Sequence, residues 1–113
     1  MKRKVELNRR LTLERRQRIS DGAGGFARDW VALGEVWADV QMRSVRVTEV
    51  SAGTTALERH RIIVRGAPQG DPQRPMPGQR FVEGSRIYGI ESVAEHDSAG
   101  LYLLCWTREE VLT

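Results

Sequence analysis

The chain has 113 residues, 40% hydrophobic and 29% charged, with a net charge of +3 and a single cysteine. That length suits one domain with a modest core, the lone Cys105 excludes an internal disulfide, and no run approaches the roughly 18 apolar residues of a transmembrane helix. The basic start Met1-Lys2-Arg3-Lys4 has no apolar stretch behind it, so it reads as a basic arm and not a secretory signal, on a soluble chain with no membrane partner. Charge is unevenly placed. Lys2, Arg3, Lys4, Arg9, Arg10, Arg15, Arg16 and Arg18 are eight of the 18 basic residues and fall in the first 18 positions, while Glu95, Asp97, Glu109 and Glu110 face a single Arg108 near the other end. Such polarity serves either nucleic acid or head-to-tail contact between copies.

Residues 5 to 19 alternate: Val5, Leu7, Leu11, Leu13 and Ile19 are apolar, and Glu6, Asn8, Arg10, Glu14, Arg16 and Arg18 are polar. Period two predicts a strand with one buried face. The steps from Val5 to Ile19 would span about 46 Å at about 3.3 Å each, so one end must bend or project. Ser20 to Gly25 reads as a flexible turn. A second strand is predicted near Gly34 to Arg43, where Val36, Ala38, Val40 and Met42 alternate with Trp37, Asp39 and Gln41. Trp30 and Trp37 read as core or interface anchors, with core favoured. Residues 43 to 57 are the ambiguous piece. Val45, Val47 and Val50 argue mildly against helix, yet Ser51-Ala52-Gly53-Thr54 is a break, so the stretch reads as a long loop with room for one short helical turn. Leu57 to Arg65 is a third strand whose register the consecutive Ile62, Ile63 and Val64 leave open.

All four prolines fall between Gly66 and Gln79, which excludes a central strand there and predicts an extended surface loop with Arg74 and Met76 as contact candidates. Three short apolar runs follow, around Arg80 to Val82, Ile87 to Val93 and Leu101 to Trp106. They are split by turns at Gly84 and Gly100, and together form a three-stranded meander. Residues 108 to 113 form a tail whose last part, Val111 to Thr113, frays or docks on a neighbour. The fold class is all-β: a single domain over residues 1–113 of about six antiparallel strands, a small antiparallel β-barrel or a small sandwich, since either limits exposed edges.

The search for chemistry returns little. No phosphate-binding, zinc-protease or nucleophile-elbow pattern is present, and His60 and His96 lack metal-ligand spacing. Cys105, among Leu103, Leu104 and Trp106, reads as a small buried residue. The expectation is no enzyme, no metal and no cofactor. A barrel that binds single-stranded nucleic acid is the alternative reading, because the first strand is rich in arginine. Against it, aromatics are 6% of the chain and do not interleave with the arginines.

Taken together, Leu11-Thr12-Leu13-Glu14-Arg15 with Asp21, Gly24-Gly25 and Trp30, then Val36-Trp37-Ala38-Asp39-Val40, His60 to Arg65, and the closing Arg80-Phe81-Val82, Gly84, Arg86 to Val93 and Leu101 to Cys105 resemble one family along nearly the whole chain. It is that of the head-tail joining proteins, also called head closure or stopper proteins, of long-tailed phages and phage-like particles such as gene transfer agents. The Pro-rich stretch 66–78 is longer than the family's pattern. The resemblance implies a virion component in the neck between head and tail, assembled in the producing cell's cytoplasm. It implies a homo-oligomeric ring below the portal and its adaptor, with a tail terminator or tail protein beneath. Such a ring retains packaged double-stranded DNA through non-specific contact. It also implies that the loop 43–57 faces the channel, with Arg43, Arg46 and Glu49 as DNA-facing candidates. Arg9, Arg10, Arg15, Arg16, Arg18, Arg74, Met76, Glu109 and Glu110 are then candidates for subunit or adaptor contact.

Overall fold

The computed structural model describes residues 4–20, 22–50 and 53–110, with side chains for all of these except 19, 26–28, 43–50 and 53–58. Six strands, β1 (Arg9–Ser20), β2 (Phe26–Val50), β3 (Gly53–Arg65), β4 (Arg80–Glu83), β5 (Arg86–Glu95) and β6 (Tyr102–Glu110), close into a barrel in the order β1-β2-β3-β6-β5-β4. Every pairing is antiparallel. Closure removes the edges that so small a sheet would otherwise expose.

Alternation decides which residues fill the barrel. Leu11 and Leu13 of β1, Ala38 of β2, Ile62 and Val64 of β3, Phe81 of β4, Tyr88 and Ile90 of β5, and Leu103 and Cys105 of β6 form one buried cluster. The run Ile62-Ile63-Val64 is resolved by burial on both faces: Ile63 points the other way yet is equally covered. The covered outer face also holds Asp39 and Gln41, and Asp39 Oδ2 accepts from Glu6 N–H at 3.1 Å and from Gln41 Nε2 at 3.1 Å. Residues 4–8 are therefore a strap against β2, and pairing of β1 begins at Arg9 where the alternation had placed it from Val5.

β2 is far longer than expected. A straight strand of its 25 residues would run about 80 Å at about 3.3 Å per residue, against a longest molecular dimension of 55 Å. It bends at two irregularities, one opposite Leu13/Glu14 and one between Met42 and Ser44, as bulges bend strands. Its two ends leave the barrel as two-stranded ribbons. Arg15–Ser20 pairs only with Phe26–Val31, and Val45–Val50 pairs only with Gly53–Glu58.

The second ribbon corrects the expectation of a long loop with a helical turn over 43–57. Val45 lies opposite Glu58, Val47 opposite Ala56 and Thr48 opposite Thr55, so β-branched residues hold an extended hairpin. No helix occurs among the described residues. Arg108 to Glu110 belong to β6 and not to a tail, while Val111 to Thr113, Met1 to Arg3 and Asp21 lie outside the described residues. Gly84 and Gly100 take φ of 59° and 69°, the left-handed values their turns require. The Pro-rich stretch 66–79 is the surface loop expected, tied down by Arg74 Nη1 to the Ala67 carbonyl at 2.8 Å, by Gly78 N–H to Ile90 at 3.0 Å and by a buried Pro75.

Candidate functional site

The arginines of β1 divide into two groups. Arg9 lies in register with Leu11 and Leu13 and turns toward the barrel interior. Its Nε donates to Glu83 Oε2 at 3.0 Å, its Nη2 pairs with Glu83 Oε1, and Nη2 also donates to the Tyr88 hydroxyl at 3.2 Å. Next to it Arg86 grips Glu109 at two points, 2.8 and 3.0 Å, and its guanidinium lies 5.3 Å from the Tyr88 ring centre. His60 closes the group: its ring meets Tyr88 edge-on at 5.2 Å, and its Nε2 is 3.6 Å from Glu109 Oε1. Five strands thus converge on one barrel mouth. The Arg9 guanidinium holds the Glu83 carboxyl below the ordinary glutamate range, and burial pushes the Tyr88 phenol up. Arg9 and Glu109, candidates for outside contact, are engaged within the chain.

Arg10, Arg15, Arg16 and Arg18 are exposed. Arg10 lies 3.6 Å from Glu35, and Arg15 donates to Gln17 at 3.2 Å. Arg16 stands 5.2 Å and Arg80 only 4.0 Å from the ring centre of Trp30, while Arg80 Nε also donates to Glu14 at 2.8 Å. Trp30 is therefore half-buried by cations at the root of the first ribbon, not by the apolar core, and each such stack contributes roughly 0.5–1 kcal/mol. Arg46 and Glu49 lie on the second ribbon, at the other end of β2, and Arg43 stands at the irregularity at its base. Their side chains lie outside the described residues.

Trp37 is also not core. It is 54% exposed, because Val36, Ala38 and Val40 take the inward positions and β2's alternation leaves Trp37 outside. It borders a groove of about 520 Å³ lined by Leu7, Glu35, Val36, Arg65 and Ala67. The alternation carried this signal, and the general preference of tryptophan for interiors concealed it. Met76, exposed on the Pro-rich loop, lines a second cleft with Leu33 and Arg15, and Glu110 is exposed at the end of β6. Cys105 is fully buried and its thiol is pushed up to about 12 by that burial, which makes it inert as a nucleophile. Among the described residues no group of three His, Cys, Asp or Glu side chains could hold a metal.

The model of the phage head completion protein family matches residues 3–110. Among solved structures, a chain from the virion of a native gene transfer agent particle is 48% identical, with a TM-score of 0.82 and an alignment covering 97% of this chain and 100% of that one. No curated protein matches.

Proposed function

This chain belongs to the phage head completion protein family, and from that premise we propose that it is a structural, non-enzymatic virion component, a head-tail connector of the stopper kind. Copies form a ring in the neck, below the portal and adaptor and above the tail. The ring retains packaged DNA and docks the tail. The observation that carries this reading is the end-to-end likeness to a chain of a gene transfer agent virion.

The fold suits the role. A closed barrel is a rigid hub, and β2 carries a ribbon at each of its two ends. A subunit with arms on opposite sides can reach toward an axis with one and toward a neighbouring protein with the other. The ribbon bearing Arg46 and Glu49, with Arg43 at its base, is the arm assigned to the channel. Mixed charge there favours weak phosphate contact, which holds DNA without blocking its exit. A net charge of +3 on the monomer fits that better than a strong DNA binder, whose affinity comes mainly from phosphate neutralisation. The exposed arginines of the first ribbon and the Met76 loop are the surfaces assigned to neighbours.

Particles produced without this protein test the reading. They are expected to contain heads that package DNA, lose it and carry no tail. Mutant particles that keep both DNA and tails would overturn it.

A further inference from the structure

We propose that the groove beside Trp37 receives the Glu110-Val111-Leu112 segment of a neighbouring copy, which makes it the subunit-to-subunit contact of the ring. The proposal rests on the ring reading above and supplies the contact that reading leaves open.

The groove of about 520 Å³ is lined by Leu7, Val36, Ala67 and the exposed Trp37, with Glu35, Arg65 and Gln73 as its polar members. Tryptophan is enriched among the residues that anchor protein contacts. Its acid, Glu35, is countered by Arg10 at 3.6 Å. Arg65 is exposed and has no ion pair among the described residues, and the same holds for Glu110. The groove therefore offers one cation next to an apolar bed. The segment after β6 offers the complement in the matching order, one carboxylate followed by valine and leucine.

Within one copy the two charges stand apart along β6. Arg65 is paired with Tyr102 at the start of β6, and Glu110 stands eight residues further along the same strand, about 26 Å at about 3.3 Å per residue. Made in trans, the contact sets one patch against a different patch, which is the kind of interface that closes into a ring.

Charge reversal in assembled particles tests it. Arg65→Glu and Glu110→Arg are each expected to lower the yield of tailed, DNA-filled particles at least about tenfold, roughly one lost contact per interface. The double swap is expected to restore most of it. Trp37→Cys combined with Leu112→Cys is expected to give an oxidised ladder of multimers from purified particles, while either cysteine alone gives monomer, since Cys105 is buried. A double swap as defective as the singles, with no ladder, in particles whose averaged necks still contain a ring of this protein, overturns the contact and leaves the ring standing. Necks that lack the ring overturn the ring reading and the contact with it.

Discussion

Tyr88 is where packing and the polar mouth of the barrel meet, and replacing it separates their contributions. Its ring is fully buried, in the cluster with Phe81, Leu11 and Leu103, and sits edge-on to His60 and beneath the Arg86 guanidinium. Tyr88→Ala removes an aromatic side chain from a closed barrel that cannot collapse around the gap, so a loss of about 3–5 kcal/mol is expected. That is a third or more of the stability of about 5–15 kcal/mol typical of a domain. Tyr88→Phe keeps the ring and deletes only the hydroxyl that accepts from Arg9 at 3.2 Å. Arg9 retains both contacts with Glu83, so no buried donor is orphaned and the cost is about 0.5–1.5 kcal/mol. Urea unfolding of the isolated protein, followed by tryptophan fluorescence, measures both, with the slope of the transition unchanged. A Tyr88→Ala loss under about 0.5 kcal/mol, the range of surface substitutions, would refute the core placement. A phenylalanine variant as damaged as the alanine one would show that the polar network, and not packing, holds the mouth.

Three further outcomes are expected. Gly66→Ala should destabilise by about 1–3 kcal/mol, because the new methyl would overlap the Gly100 carbonyl oxygen where Gly66 N–H already donates to Leu101 at 2.8 Å, and both sides are backbone; a neutral variant in the same urea assay would contradict that approach. Cys105 should resist dithionitrobenzoate at pH 8 in the folded protein and react fully once unfolded, since its thiol is buried and pushed up to about 12; rapid native labelling would contradict it. The Arg9–Glu83 pair should contribute to acid sensitivity. The folded Glu83 carboxyl titrates below its unfolded value, so the pair's stabilisation is present above the ordinary glutamate pKa of about 4.3 and is lost as pH falls through the lower folded value. Glu83→Gln should flatten that part of the stability–pH curve, and an unchanged slope would show that the pair carries none of it.

What the sequence revealed depended on whether a strand had one wet face and one dry face. β1 does, and Leu11 and Leu13 against Thr12 and Glu14 placed it correctly. The meander was equally legible, because Gly84 and Gly100 supply backbone conformations that few other residues accept. The ribbon over Val45–Val50 and Gly53–Glu58 was not, since a two-stranded arm outside the barrel has no core face to impose alternation. The mouth network escaped as well. Arg9, His60, Glu83, Tyr88, Arg86 and Glu109 lie on five strands, and only closure of the barrel brings β1 and β4 together. At Trp37 the alternation was sound and the assumption about tryptophan was not.

Electron cryomicroscopy of purified particles, averaged on the neck with this protein tagged, tests the central claim most directly. A closed ring of tagged density is expected between portal and tail, with a barrel in each subunit and the ribbon of residues 45–58 directed at the channel. Tagged density elsewhere in the particle, or a neck without it, would contradict the connector assignment.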